Sequence, residues 1–198
     1  EGGYMISGII LASGFSNRMG RDKLLLKIHE TYLIEKIIEE VASAKLGEVI
    51  LVYRRVEVKN IGIKYGLKTI YNGRAHLGQS AAIKLGVENS NPNSDGYMFF
   101  VGDQPFITVD TINILIENFL YSPNHIILPI YDGKKGNPVT FPLKLKGELL
   151  ALEGDTGGRK VIRDNPHLVK DVNFSNPIKG MDVDNVEDLM KLKKLIGE

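Results

Sequence analysis

The residues best suited to chemistry in this chain form a loop of glycines and cations near the N-terminus. The stretch GIILASGFSNRMGRDK ends at Lys23, and its apolar first part stops at Ser13 and Gly14. Glycine lets backbone N–H groups approach an anion closely. Arg18 offers a planar guanidinium for phosphate oxygens, and Lys23 offers a mobile positive charge. The pattern predicts a strand that leads into an anion-binding loop, although a solvated basic loop has the same composition.

Three acidic residues could hold a hard cation beside such an anion. Asp103 follows an apolar run directly, in FFVGDQPFI, and Asp182 and Asp184 alternate in KGMDVDNVEDL. Mg²⁺ usually takes one or two carboxylates together with substrate phosphates. One of the later pair can face the sheet edge while the other caps the following helix. Turn formation and helix capping are the alternative roles for all three.

Two glycine-rich segments complete the candidate loops. GKKGNPVTF contains Gly136, Asn137 and Pro138, and EGDTGGRKV contains Asp155 and Arg159. The second segment resembles an anion-binding helix start. Each is a weak signal when taken alone.

Composition limits the classes of function. The 198 residues carry a net charge of +1, so a general binder of nucleic acid is not expected. Because the chain has no cysteine, disulfides, thiolate metal sites and cysteine nucleophiles are excluded. No apolar run reaches the roughly 20 residues that cross a bilayer, and no signal peptide is visible, so we expect a cytoplasmic protein without a membrane partner. We expect one domain over residues 5–198, with residues 1–4 left over from expression.

Short apolar runs alternate with helical patterns along the chain. The predicted strands are residues 6–12, 49–53, 67–71, 97–101, 126–130, 138–141 and 169–174. The predicted helices are residues 32–44, 80–87, 109–120, 144–152, 159–163 and 186–195, and residues 56–65 fit either state. This alternation predicts an α/β protein, with a Rossmann-like, mostly parallel sheet and helices on both faces. Ligands of such sheets bind beyond the carboxyl ends of the strands, which places the loops after Ala12 and Val101 at one edge.

Taken together and in this order, the motifs resemble those of the molybdenum-cofactor nucleotidylyltransferases, a branch of the nucleotide-diphospho-sugar-transferase-like fold. LASGFSNRMGRDK is similar to the family's L-A-[AG]-G-x-S-x-R-M-G-x-x-K loop. YNGRAHLGQS resembles the segment that approaches the base and ribose, and GDQP resembles the metal-binding motif. GNPVTF, GDTGGR and DVDNVEDL resemble three further family segments, so the likeness spans residues 9 to about 195.

The resemblance implies a reaction: a terminal phosphate of molybdopterin attacks the α-phosphate of a nucleoside triphosphate and displaces pyrophosphate. Lys23, Arg18 and Asp103 would be catalytic, and Asp103 and Asp182 would hold Mg²⁺ or Mn²⁺. The implied nucleotide-binding set comes from three segments: Leu11, Ala12, Ser13, Gly14, Arg18, Lys23, Asn72, Gly78, Ser80 and Asp103. The implied acceptor-binding set comes from two later loops: Gly136, Asn137, Pro138, Asp155 and Arg159. A molybdoenzyme or its chaperone is the expected further partner.

Two departures from the family pattern concern the identity of the base. Ser13 stands where cytidylyl-transferring relatives tend to have alanine and guanylyl-transferring ones glycine, and Ala82 stands where relatives often keep a second serine. The GDQP form of the aspartate motif favours CTP as the donor. Guanylyl transfer to the same acceptor, nucleotidyl transfer to a sugar phosphate, and nucleotide or cofactor binding without turnover remain the alternatives.

Overall fold

The computed structural model describes residues 4–15, 22–28, 30–183 and 186–195. The described residues form ten β-strands: β1 Ile6–Ala12, β2 Lys27–Ile28, β3 Thr31–Tyr32, β4 Glu48–Tyr53, β5 Lys68–Tyr71, β6 Gly96–Val101, β7 Ile126–Tyr131, β8 Lys134–Lys135, β9 Val139–Pro142 and β10 Val169–Phe174. They also form seven α-helices: α1 Leu33–Ala42, α2 Val56–Lys64, α3 Gln79–Glu88, α4 Val109–Tyr121, α5 Lys146–Leu150, α6 Arg159–Asp164 and α7 Val186–Leu195. Short 3₁₀ turns, including Lys23–Leu25, connect several of them.

The central sheet runs in the order β10-β7-β9-β6-β1-β4-β5, and β8 adds to the edge of β7. The pairs β1–β4, β1–β6, β4–β5 and β7–β10 are parallel. Strand β9 runs antiparallel between β6 and β7, and β8 is antiparallel to β7. The predicted α/β class with a mostly parallel sheet is therefore confirmed, with β8 and β9 as its reversed members.

Two hydrophobic clusters cover the two faces of the sheet. Alternate strand residues point to opposite faces, so Ile10 and Phe100 join one cluster while Ile9 and Phe99 join the other. Helices α1, α2 and α4 pack in the first cluster, and α3, α5 and α6 pack in the second. The prediction of helices on both faces is confirmed.

The differences from the predicted elements are local. The ambiguous segment 56–65 is helix α2. The helix predicted over residues 144–152 is shorter: a 3₁₀ turn, Leu143–Leu145, precedes the five-residue α5. Among the described residues, no helix is long and apolar enough to cross a membrane. The prediction of one domain over residues 5–198 stays a prediction.

Candidate nucleotide-binding and catalytic site

Two of the predicted catalytic residues meet at the carboxyl edge of the sheet. Strands β1 and β6 are parallel neighbours, so the segments that follow them end at the same edge. Lys23 Nζ lies 2.7 Å from Asp103 Oδ2, although 80 residues separate the two in the chain. Their side chains are 22% and 23% exposed, so the pair is largely shielded from water but can be reached by a ligand. Arg18, the third predicted catalytic residue, lies outside the described residues.

A buried carboxylate anchors the turn that carries Lys23. The Asp22 side chain is only 4% exposed, and it accepts a hydrogen bond from the Leu24 backbone N–H at 3.2 Å. Arg54 Nη2 and Arg55 Nε each lie 3.4 Å from Asp22 Oδ2. The guanidinium of Arg54 also lies 4.4 Å from the centre of the Phe15 ring. The arginines that follow β4 thus tie that strand end to the loop after β1.

The two arginines differ in exposure. Arg55 is half exposed, but the Arg54 side chain is mostly buried and has two partners in the loop after β1. The sequence signal that could have indicated this is a pair of arginines directly after a strand that is parallel to β1. Asp22, immediately before Lys23, is a further residue of this contact that no motif indicated.

Asp182 approaches Asp103 through the segment before α7. The backbone N–H of Val183 donates to the carbonyl oxygen of Asp103 at 2.9 Å. The side-chain amide of Gln104 donates to Asp182 Oδ1 at 2.6 Å. Asp103 and Asp182 line the same cavity. The structure thus brings the two predicted metal ligands to one place, whereas Asp184 lies outside the described residues.

A cavity of about 780 Å³ opens beside the Lys23–Asp103 pair. Members of the predicted nucleotide-binding set that line it are Leu11, Ser13, Gly14, Lys23, Gly78 and Asp103. Ala12 contributes its methyl group to the hydrophobic core instead. Most of the predicted set therefore surrounds one space that is large enough for a nucleotide.

Asn72 and Ser13 form a buried polar pair at the end of β1. The amide of Asn72 donates to Ser13 Oγ at 2.9 Å, and its carbonyl oxygen accepts the backbone N–H of Arg74 at 3.0 Å. Both side chains are almost completely buried. Since both polar ends of Asn72 have partners within the protein, its clearest role is to orient the Ser13 hydroxyl.

The loop from Asn72 to Ser80 joins the loop that contains Asp155. Ser80 Oγ donates to the carbonyl oxygen of Gly154 at 2.7 Å, and the Gln79 N–H donates to Asp155 Oδ1 at 3.2 Å. Ser80, a predicted nucleotide-binding residue, therefore donates its hydroxyl hydrogen to a loop of the predicted acceptor site. The two loops form a junction between the two sites.

A second cavity of about 520 Å³ borders the same junction, because Gln79 and Asp155 line both cavities. Members of the predicted acceptor set that line it are Gly136, Asn137, Asp155 and Arg159. Pro138, which follows Asn137 through a cis peptide bond, is not among its lining residues. Buried apolar side chains from the sheet form part of the wall, namely Phe99, Leu128 and Phe141. Basic side chains are also part of the lining, namely Lys135, Arg159, Lys160 and Arg163.

Tyr131, which the motif analysis did not identify, supports the loop of Gly136 and Asn137. Its hydroxyl donates to the carbonyl oxygen of Asn137 at 2.9 Å, and its ring stacks on Phe174 with centroids 5.3 Å apart. Burial raises the pKa of Tyr131 above its usual range, because the phenolate would lose its hydration. The sequence signal for this role was a tyrosine directly after the apolar run of residues 126–130.

The donor chemistry suits a hard divalent cation that binds together with phosphate. In the part of the chain that the structure describes, no three or more His, Asp or Glu side chains are grouped so that they could hold a metal ion. Asp103 and Asp182 supply two carboxylates on one cavity. That number fits Mg²⁺ or Mn²⁺, which complete their coordination with substrate oxygens and water.

Comparison with known proteins gives a match to a family model and similarity to individual proteins. The family model described as MobA-like NTP transferase domain matches residues 8–170. Purine catabolism protein PucB of Bacillus subtilis (strain 168) is 26% identical over 170 residues, which are 81% of this chain and 81% of that protein. The probable molybdenum cofactor guanylyltransferase of Natranaerobius thermophilus is 28% identical over 131 residues, 65% of this chain and 62% of its own length.

Solved structures share the fold. Rv0371c from Mycobacterium tuberculosis H37Rv, solved in complex with manganese, superposes with a TM-score of 0.80 at 23% identity, covering 96% of this chain and 98% of that one. At that level of identity the likeness concerns the arrangement of strands and helices.

Proposed function

The chain belongs to the MobA-like NTP transferase family of nucleotidyltransferases, and on that premise we propose that it transfers a cytidylyl group from CTP to the phosphate of molybdopterin. One observation carries the proposal. Asp103 lines both the 780 Å³ cavity and the 520 Å³ cavity. A nucleotidyltransferase must bring a donor and an acceptor together at one phosphorus atom, and Asp103 lies where two spaces meet.

The larger cavity would take the nucleotide. Lys23 borders it, and its positive charge would bind the triphosphate and stabilise the charge that develops on the departing pyrophosphate. In the reaction, an oxygen of the acceptor phosphate forms a bond to the α-phosphorus. The bond from that phosphorus to the oxygen bridging to the β-phosphate breaks, and its electron pair leaves with pyrophosphate. Such a transfer requires mainly alignment and charge neutralisation from the protein.

Asp103 and Asp182 would hold the divalent cation. When bound, Mg²⁺ or Mn²⁺ supplies positive charge to the phosphate oxygens. A structural neighbour, Rv0371c, was solved in complex with manganese, which supports a divalent cation as the bound group. In the absence of nucleotide, the ion pair between Lys23 and Asp103 keeps both charged groups at the reaction site.

The smaller cavity would take the acceptor. Its basic residues, such as Arg159 and Arg163, suit a phosphate, and its apolar wall suits a ring system. Tyr131 would hold the Asn137 loop in place against this ligand. A molybdopterin-type phosphate combines both features. A molybdoenzyme or its chaperone would receive the product.

The Ser13–Asn72 pair supports cytosine as the base. Because the Ser13 oxygen accepts the hydrogen bond from Asn72, its own hydrogen can be donated to an acceptor such as O2 of cytosine. The Cβ and hydroxyl of Ser13 also reduce the room for a two-ring base. A single group of this size is worth about 1–3 kcal/mol, so we expect a preference for CTP of roughly 10- to 200-fold. The relative named a guanylyltransferase favours GTP as the second candidate.

The test is pyrophosphate release with each nucleoside triphosphate, with and without molybdopterin, followed by competition between equimolar CTP and GTP. We expect mostly the cytosine dinucleotide as the product. Ser13→Ala keeps the Cβ and loses the hydroxyl, whereas Ser13→Gly loses both, so the pair separates hydrogen bonding from steric exclusion. A product that is mostly the guanine dinucleotide contradicts the base assignment. Nucleotide binding without any pyrophosphate release contradicts the enzyme assignment and favours a carrier.

A further inference from the structure

Gln104 connects the two proposed metal ligands. It follows Asp103 directly, is 5% exposed, and donates its side-chain amide to Asp182 Oδ1 at 2.6 Å. Asp182 itself is an exposed residue, 78 positions further along the chain. The Val183 N–H to Asp103 carbonyl bond holds the two backbone segments together beside this contact. A buried amide thus reaches out to an exposed carboxylate at the mouth of the acceptor cavity.

We propose that Gln104 is a positioning residue that orients Asp182 for the divalent cation, an inference that rests on the proposed function. An exposed aspartate side chain samples several rotamers, and fixing one of them costs free energy when a metal binds. The bond from Gln104 selects a rotamer before the metal arrives. An amide donor also leaves the carboxylate its full negative charge, whereas a lysine or arginine in the same place would offset that charge. Residues that hydrogen-bond to a metal ligand typically contribute about 10- to 100-fold to metal affinity.

A purely structural role for Gln104 makes a different prediction. In that case its amide would only fasten the segment before α7 to the loop after β6, and its loss would lower stability without a selective effect on the metal. The direct backbone bond between Val183 and Asp103 fastens the same two segments without the Gln104 side chain. The side chain therefore has its most specific consequence at Asp182.

The experiment measures Mn²⁺ binding by electron paramagnetic resonance, with α,β-methylene-CTP as a nucleotide that cannot be cleaved at the α-phosphate. The variant is Gln104→Met, which keeps the length and the apolar part of the side chain and removes the donor. We expect the Mn²⁺ dissociation constant to rise 10- to 100-fold. In the Asp182→Asn background we expect Gln104→Met to have no further effect, because residues that act through one another are not additive.

Two results of the Mn²⁺ binding experiment would overturn the proposed role of Gln104. Equal Mn²⁺ affinity in wild type and Gln104→Met would overturn the inference, and so would an equal loss with and without Asp182. Thermal unfolding of every variant identifies a loss that comes from unfolding, and Gln104→Glu provides a second test. Gln104→Glu places a second carboxylate against Asp182. The inference therefore predicts that Gln104→Glu changes the Mn²⁺ affinity of the protein that keeps Asp182, and not that of the Asp182→Asn variant. Wild type that binds no Mn²⁺ with the nucleotide would overturn the metal assignment as a whole. Mn²⁺ binding without pyrophosphate release would instead count against the proposed reaction alone.

Discussion

Replacing Gly78 with alanine tests whether the junction between the two candidate loops is as tight as the structure indicates. Gly78 has φ +90°, and a Cβ at this position would lie 2.5 Å from the Cα of Asp155 and 2.6 Å from its backbone nitrogen. Ordinary van der Waals contacts of a Cβ begin near 3.4 Å, so the two backbones would have to separate by about 1 Å. Backbone atoms cannot rotate away as the end of a flexible side chain can.

The cost follows from two sources. Gly78 lies at φ 90° and ψ −170°, a region essentially confined to glycine, and an alanine held there costs about 1–3 kcal/mol. Separation of the loops would also break the bond from Ser80 Oγ to the Gly154 carbonyl and the bond from the Gln79 N–H to Asp155. Each is worth about 0.5–1.5 kcal/mol. We therefore expect Gly78→Ala to lower the free energy of unfolding by about 2–6 kcal/mol.

Gly66→Ala is the matched control. Gly66 follows α2 with φ +73°, and a Cβ there would meet no atom within 4 Å. Its substitution should cost only the backbone strain, about 1–2 kcal/mol, and should leave both cavities intact. Urea unfolding followed by circular dichroism measures both variants, since the chain contains no tryptophan. Steady-state kinetics should show a higher KM for both substrates in Gly78→Ala alone. If the two variants lose equal stability and keep equal KM values, the tight junction is refuted.

Three further predictions concern the reaction site and the acceptor loop. Lys23→Ala should lower kcat by about 10²-fold or more, as expected when one preorganised charge is removed, and an unchanged kcat in steady-state assays would make Lys23 a solvated cation. Asp103→Ala should abolish turnover while calorimetry still detects nucleotide binding, and full wild-type activity in excess chelator would contradict the metal assignment. Tyr131→Phe should lose about 1 kcal/mol with the hydrogen bond to Asn137. Because burial raises the pKa of Tyr131, its contribution to stability is complete below about pH 10, the pKa of an unfolded tyrosine, and is lost as the pH rises above that. Thermal unfolding between about pH 8 and 11 should therefore show a smaller loss of stability at alkaline pH in Tyr131→Phe than in wild type. Part of the loss should remain in the variant, because burial also raises the pKa of Tyr97.

Local patterns in the sequence were sufficient for the fold class and for most of its strands and helices. The period of buried residues distinguishes strands from helices, because side chains alternate in one and repeat every three to four residues in the other. Helix α1 shows this directly: its buried residues lie at helical spacing, with Glu35 and Glu39 between them. The rule that parallel strands present their carboxyl ends at one edge then placed the loops after Ala12 and Val101 together. The motif order indicated which loops carry the chemistry.

Contacts between distant segments were decided by the tertiary structure alone. The 2.7 Å pair of Lys23 and Asp103, the Gln104–Asp182 bond and the contacts of two arginines with Asp22 each join residues that are 32 to 80 positions apart. Such partners depend on which strands are neighbours and how the loops pack, and no periodicity along the chain encodes either. The same holds for the reversed direction of β9, because the short buried segment VTFP is compatible with both a parallel and an antiparallel strand. The sequence thus determined the elements and the candidate loops through local spacing, and only the fold determined which side chains meet, since that depends on the packing of all elements at once.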